Sequence, residues 1–532
     1  MSAEKICVVG SGPAGATAAH FLWHAGFDVT VLDGGLRAEP EVVSDIADWL
    51  EKPDDAKLKS AVAQRRSSST LEKPDLAEKL FLGSDFVYRE TERELLESVE
   101  NADIRASLAQ GGLSNVWGAA ALPITAQDIA DWPISQDDLS PHYQSLNEII
   151  DIVGDNDGLE KSFGTNVVSP SFSLGRQASA LLEDMASHAS DLHQSGFEFG
   201  RARVAVGNKF SHQSEGCVSC GHCMIGCPHG AIFNSAFVID TLKGRERFTY
   251  QGRRIVDQVA ETVDGVTVSG HGLIDGSAFS QRFERVFIAA GVVSTAAIML
   301  RSRRENGGSL QLRDSQLFVF PIIRYRGEDD VALEKTNRLA QLFIELNDPN
   351  LCDRLIHLQL YGFNDVFMDA ITEKLGPLAS IAPFILKFLT RHAMIVQGFL
   401  HSDYSGSIRV SLSKSGKANL TGEPNEQSEM SARKTQKYFV QSRPHFRATP
   451  IPGQIVIPPP GASRHLGASL PMSASPKIGE SDLLGRPDGL KRVHVVDASV
   501  LPSIPASTIT YTAMANAARI VGETARLPEV SI

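Results

Sequence analysis

The sequence predicts an α/β fold organised around a parallel sheet, α+β over the whole chain, and three observations predict it. A short β-branched run, Lys5 to Val9, stops at Gly10-Ser11-Gly12-Pro13-Ala14-Gly15 and gives way to the small-residue stretch Ala16 to Ala25. A second strand, Phe27 to Leu32, ends in Asp33, 18 residues after Gly15. Far along the chain, Val286 to Ser294 reads as a buried core strand running into a helix, with the continuous apolar character of strands covered on both faces.

Strand, glycine turn, helix and second strand in that order form a Rossmann-like unit. Gly10 permits the tight turn, Gly12 lets backbone N–H groups approach a pyrophosphate, and Gly15 lets helix and strand pack closely. Pro13 and Ala14 open the helix, whose N-terminus favours negative charge. Asp33 stands where an acid accepts hydrogen bonds from an adenosine ribose. Glycines also mark ordinary turns, so a generic βαβ unit is the plain alternative; the order of elements favours a bound dinucleotide.

At 532 residues the chain is too long for one hydrophobic core, and two interlocked domains are expected. A hydrophobic fraction of 42% with 21% charged residues suits a globular protein with apolar mass to bury a cofactor. The formal charge of -12 provides no field to gather polyanions, so nucleic acid is excluded as a partner. Met1 leads through charged residues straight into Ile6-Cys7-Val8-Val9, with no secretory pattern, and a cytoplasmic location is expected. Membrane contact is not expected, because the longest apolar window, Leu378 to Leu389, is interrupted by Pro383 and Lys387.

Further segments carry a family resemblance. Gly111-Gly112-Leu113-Ser114-Asn115-Val116-Trp117-Gly118 is followed by Asp131-Trp132-Pro133-Ile134 and by Asp138-Leu139 to Tyr143. Val286 to Ser294 contains Ala289-Ala290-Gly291. Towards the C-terminus, Ser463-Arg464-His465-Leu466-Gly467-Ala468-Ser469 precedes Val493 to Pro502, with Asp497-Ala498 inside it, and then Thr508 to Ala515. With the N-terminal turn, these blocks resemble the glucose-methanol-choline (GMC) oxidoreductase family, nearest in pattern to its bacterial sugar-oxidising branches. The likeness covers about half the chain, and no family motif is found between Arg301 and Pro460.

The resemblance implies FAD, with Gly10, Gly12, Pro13, Ala14, Gly15 and Asp33 on its adenosine and pyrophosphate. Gly111, Gly112, Ser114, Asn115, Trp117 and Gly118 would run along the pyrophosphate and isoalloxazine, and Ala290, Gly291, Asp497 and Ala498 would close the site. It implies a discontinuous FAD-binding domain of residues 1–38, 98–135, 205–300 and 461–532. That domain would be interleaved with a substrate domain, 136–204 and 301–460, on a mostly antiparallel sheet, with 39–97 a surface excursion.

It also implies dehydrogenation of a CH–OH group on a small hydroxyl-bearing substrate, a carbohydrate among the candidates. His465 matches the family's base, which takes the hydroxyl proton while a hydride passes to flavin N5. Imidazole titrates near neutrality, and such proton transfer is worth roughly 10²- to 10⁴-fold in rate. Taken alone, any one of 15 histidines is by default structural; the motif singles out His465. Forty-three positions on, where the family places an Asn or second His, stands Thr508, whose hydroxyl can donate or accept but is no base near neutral pH. Either Thr508 is a weaker substitute, or Ser507 shares the role, or the chemistry differs from simple alcohol oxidation. The last option includes a flavin-dependent lyase, isomerase or epimerase without net oxidation; an electron-transfer subunit is the non-enzymatic alternative.

Four of the six cysteines fall within eleven positions: Cys217, Cys220, Cys223 and Cys227, followed by Pro228. This is the C-x₂-C-x₂-C-x₃-C-P spacing of bacterial ferredoxins, and it points to an iron-sulfur cluster. Whether the cluster is 4Fe-4S or 3Fe-4S stays open: three ligands with a labile fourth site, Cys227 bending back, or distant Cys352 completing the set. Structural zinc and free or disulfide-bonded cysteines are the alternatives. The likeness to GMC-type sugar dehydrogenases implies a relay of single electrons to an external acceptor, a protein or quinone. Elsewhere, Glu39 to Glu97 reads as a solvated loop, Leu317 to Tyr325 and Arg338 to Leu346 as antiparallel strands, and Leu378 to Val396 as a core or interface helix.

Overall fold

Lys5–Val9 pairs in parallel with Asp28–Leu32 on one side and Arg285–Ile288 on the other, so both its faces are covered; this is why its sequence is apolar throughout. Val493–Val495 joins beyond Arg285–Ile288 and Phe248–Gln251 beyond Asp28–Leu32, completing a five-stranded parallel sheet. The helices Pro13–His24, Ser235–Leu242 and Thr510–Ala525 pack together on this unit. The computed structural model describes residues 3–69, 78–164, 167, 172–207, 216–303, 308–368, 372, 376 and 383–526.

A second layer is a six-stranded antiparallel sheet in the order Ala448–Pro450, Leu317–Arg324, Ala393–Phe399, Ile356–Tyr361, Leu342–Leu346, Phe197–Arg201. Side chains alternate across it. Leu342, Ile344, Leu358, Leu360 and Val396 join the core formed with helices Arg176–Ser187 and Glu426–Gln441. Phe343 and Tyr361, on the other face, join the core of the parallel-sheet unit. Two further sheets complete the structure: Arg254–Thr262 with Gly265–Gly272 and Ala278–Phe283, and a five-stranded one that includes Ser309–Asp314 and Leu466–Gly467. The predicted α/β architecture with an antiparallel second sheet is what the chain adopts, and both predicted strands between 317 and 346 are present.

Two readings give way. Residues 39–97 are not a solvated loop, since they hold the helices Pro40–Glu51 and Asp55–Ser68. A few apolar positions, Val42, Trp49, Leu58 and Val62, suffice to dock them, and that sparse pattern is easily mistaken for a polar segment. The stretch from Leu378 to Val396 is not one core helix: Pro383–His392 is helical with none of its residues buried, and the chain turns at Ala393 into a strand that buries Met394 and Val396. Residues 378–382 of that stretch lie outside the described residues. Among the described residues, no helix is long and apolar enough to cross a membrane.

Candidate functional site

The three glycines of the N-terminal turn meet three different surroundings. At Gly10, with φ of 96°, a Cβ would lie 2.3 Å from the Ala289 carbonyl oxygen; at Gly15 it would lie 2.2 Å from that of Gly10. Both are backbone-on-backbone contacts that only glycine permits. At Gly12 a Cβ would meet no heavy atom within 4 Å, and Gly12, Pro13 and Ala14 border a cavity of about 440 Å³. The helix starting at Pro13 has no side-chain cap, so its first N–H groups are left for whatever fills that space.

Asp33 borders the same cavity, with a carboxylate already well provided with donors. Ser11 N donates to Oδ1 at 3.1 Å, while Ser11 Oγ and Tyr250 OH donate to Oδ2 at 2.8 and 2.7 Å. Burial pushes its pKa up and these hydrogen bonds oppose the push. Ser11 Oγ in turn accepts from Gly111 N at 2.9 Å, which ties the first turn to the second.

A Cβ on Gly112 would lie 3.4 Å from Gly12 Cα, so the two glycine turns lie against each other. Ser114 Oγ donates to the Gly111 carbonyl at 2.6 Å, and Asn115 Nδ2 to those of Gln110 and Gly112 at 3.0 and 2.7 Å. Trp117 Nε1 donates to the Phe233 carbonyl at 2.8 Å. Gly112, Ser114, Trp117 and Gly118 line the cavity together with Ala290, Gly291, Asp497 and Ala498; Gly15, Gly111 and Asn115 lie behind the lining. Asp497 is a local clamp: Oδ2 accepts from Gly291 N at 3.0 Å and Thr295 Oγ1 at 2.6 Å, and Oδ1 accepts from Ser499 N at 2.9 Å.

His465 is on the cavity wall, its ring stacked on Phe399 with centroids 4.8 Å apart. Its loop is anchored by buried Asp314, which accepts from Gly461 N and Ser463 Oγ at 2.9 and 2.6 Å, while His465 N donates to Ser463 Oγ at 2.9 Å. Nδ1 is buried without a hydrogen-bond partner, leaving Nε2 as the nitrogen able to act in the cavity. Protein encloses the ring everywhere else. That desolvation, with the nearby His357, lowers its pKa to about 4, so the imidazole is neutral at pH 7. Thr508 lines the cavity, its Oγ1 accepting from Leu122 N at 3.3 Å, beside the start of helix Thr510–Ala525. Ser507 is fully buried outside the lining, and its hydroxyl has no partner among the described residues.

The antiparallel sheet supplies a wall that the sequence reading missed. Gln359, Tyr361 and Gln397 line the cavity. Tyr361 OH donates to Gln359 Oε1 at 2.9 Å, Gln359 Nε2 to His357 Nε2 at 3.2 Å, and His357 Nδ1 to Glu345 Oε1 at 2.7 Å. His357 and Glu345 have no solvent exposure, and burial raises the Glu345 pKa. The available signal was polar residues at every second position, His357, Gln359 and Tyr361, in an otherwise apolar strand. Lys79 and Met224, also missed, line the cavity as well.

Cys217, Cys220, Cys223 and Cys227 surround a second, small apolar cavity. No disulfide joins them. Each sulfur accepts a backbone N–H: from Ser219, His222, Arg338 and Ala231 respectively, the last two at 3.5 and 3.3 Å. Burial and the neighbouring thiols push Cys220 up to about 12 and Cys223 up to about 11. Among the described residues, no group of three or more His, Cys, Asp or Glu is placed to hold a metal ion. Four amide-supported sulfurs about one cavity are a donor set that an iron-sulfur cluster uses, with zinc the alternative. Cys352 does not complete the set: it belongs to the core beneath the antiparallel sheet, where its sulfur accepts from Arg354 N at 3.4 Å. Helix Pro40–Glu51 braces the cysteine loop, with Trp49 edge-on to His222 and His229, and Asp55 Oδ1 lies 2.9 Å from His222 Nε2.

Residues 8–38, which contain the first glycine turn, match the NAD(P)-binding Rossmann-like domain family. No curated protein matches the sequence. Solved structures do match along nearly the whole length. Pyridoxine 4-oxidase from Mesorbium loti is 13% identical, with 98% of this chain and 99% of that one covered at a TM-score of 0.61. Formate oxidase is 12% identical, with 98% of each chain covered at a TM-score of 0.62. The chain has the fold of these oxidases. The resemblance read from the sequence holds at that level. A variant of the formate oxidase of Aspergillus oryzae RIB40, described for its effect on FAD modification, is 13% identical over 98% of each chain at a TM-score of 0.60.

Proposed function

We propose that the chain is an FAD-dependent oxidoreductase of GMC type that dehydrogenates a CH–OH group of a small molecule, with His465 as the base. The observation that carries this reading is a neutral imidazole, wrapped by protein except toward the cavity, on the wall of the space into which Gly12 and the first helix open. The full-length fold shared with two oxidases, one of them linked by its description to FAD, supports it.

When bound, FAD supplies the acceptor for the electrons removed from the carbinol carbon. Gly12, Pro13 and Ala14 would face its pyrophosphate, with Asp33 on the adenosine side. His465 Nε2 takes the hydroxyl proton, and the stack on Phe399 fixes the plane of the ring. Thr508, through the hydroxyl hydrogen it does not need for Leu122 N, donates to the same substrate oxygen. Gln359 and Gln397 offer further donors and acceptors, which suits a substrate with several hydroxyls such as a sugar. Cys217, Cys220, Cys223 and Cys227 would hold an iron-sulfur cluster, which would supply single-electron transfer to an external acceptor, a protein or quinone, and would make the enzyme a dehydrogenase.

Anaerobic mixing of the FAD-loaded protein with a panel of sugars and alcohols tests this. At least one should bleach the flavin, and His465→Ala should slow that bleaching by roughly 10²- to 10⁴-fold with FAD content unchanged. No bleaching across the panel, or equal rates in the variant, overturns the assignment.

A further inference from the structure

The dinucleotide cavity and the cysteine cavity share a wall one residue thick. Cys223 borders the cysteine side, and the next residue, Met224, borders the other. Trp117 closes the same wall: it lines the dinucleotide cavity, hydrogen-bonds the Phe233 carbonyl and meets the Phe233 ring edge-on at 6.0 Å. Phe233 lies with Cys217, Cys223 and Cys227 in one continuous core.

A charge stands at this junction. Lys79 lines the dinucleotide cavity and donates from Nζ to the Trp117 carbonyl at 2.9 Å. Burial lowers its pKa to about 8, and the nearby Cys223 and Cys227 oppose that fall. A buried ammonium so placed is felt far more strongly than one in water, because little solvent screens it. Nothing in the proton chemistry at His465 uses it.

We propose that Lys79 is an electrostatic positioning residue between the two redox sites: its ammonium stabilises the reduced state of the cluster held by Cys223 and Cys227 and so draws electrons out of the flavin. This rests on reading the large cavity as the FAD site and the cysteines as cluster ligands. Each transfer oxidises reduced FAD by one electron and reduces the cluster by one, with no bond made or broken at Lys79; the external acceptor then takes the electron. A fixed positive charge lowers the free energy of the state that has gained the negative charge. The cluster potential is therefore higher with Lys79 than without it.

The test is a reductive titration of anaerobically purified protein, followed by visible absorption and electron paramagnetic resonance. FAD and iron are quantified in the same samples. Lys79→Met should make the cluster about tenfold harder to reduce by one electron, a downward shift of about 59 mV, with FAD and iron contents unchanged. Lys79→Gln, which still donates to the Trp117 carbonyl, should shift as Met does, and Lys79→Arg should keep the wild-type potential. A cluster potential unmoved in both Met and Gln variants overturns the role of Lys79 alone. Wild-type protein that carries FAD but no iron overturns the cluster reading and the Lys79 assignment with it. Should Lys79→Met fail to fold, the Gln and Arg pair decides the matter.

Discussion

Two parts of the lining of the large cavity are built on opposite principles. The wall at Gly10 and Gly12, backed by Gly15, is main chain, shaped by what glycine omits: Ala289 and Gly10 carbonyls press where side chains would be, and empty space stands at Gly12. The wall at Gln359, Tyr361 and Gln397 is side chain, held by a hydrogen-bonded line that ends on the buried pair His357 and Glu345. The first wall tolerates no added atoms at two positions and invites them at the third. The second tolerates no lost partner. A backbone surface suits a ligand part that is always the same, and a side-chain surface suits a part that differs between enzymes of one fold.

The largest effect expected from this contrast is at Gly10. Gly10→Val places a branched side chain at φ 96° against a backbone carbonyl and should abolish the cooperative urea transition, whereas Gly12→Ala should cost about 1 kcal/mol or less yet weaken FAD binding more than tenfold. Equal damage from both substitutions, followed by denaturation and flavin fluorescence, would break the distinction between pressed and open glycines. Next comes the other wall. Glu345→Ala leaves the His357 Nδ1 hydrogen buried without its acceptor and should cost about 3 to 5 kcal/mol in urea denaturation, while Glu345→Gln, which still offers an oxygen, should cost less. A loss below about 1 kcal/mol would mean that the sheet wall does not depend on its deep end.

The smallest expected effect is the pH dependence of the parallel sheet, where buried His494 stacks on Phe287 and hydrogen-bonds the Leu484 carbonyl. Burial lowers its pKa from 6.5 to about 4. As pH falls through 6.5 the unfolded chain binds this proton first, so stability present above that value is lost progressively down to about pH 4, by about 3 kcal/mol in total. Melting curves across this range should flatten in His494→Gln. A variant that tracks the wild type shows that His494 does not supply that share.

These walls also explain what the sequence disclosed. Gly10 to Gly15 with Asp33 can be read because the whole unit lies within one short stretch and its conformational demands are met by residue type alone. That Cys217, Cys220, Cys223 and Cys227 gather about one cavity can be read for the same reason. Gln359 and Gln397 come together through the register of Ile356–Tyr361 on Ala393–Phe399, and Glu345 meets His357 across a further strand pair, so no spacing in the chain announces them. Lys79 is still less legible, being held by a hydrogen bond to the Trp117 carbonyl. The helices at Pro40–Glu51 and Asp55–Ser68 were hidden because four buried side chains are too few to stand out among so many charges.

The parallel sheet places Val493–Val495 beside Arg285–Ile288, and the helix Thr510–Ala525 lies on Pro13–His24. A ribosome that has made the glycine turn must therefore add nearly the whole remaining chain before the edge strand and the last helix can arrive. Until then the nascent protein carries an open sheet edge and a half-built cleft, the features that chaperones attend to. Closure of the nucleotide clasp is thus a late event in biosynthesis, and the assembly of this half of the molecule is governed by its most distant contacts.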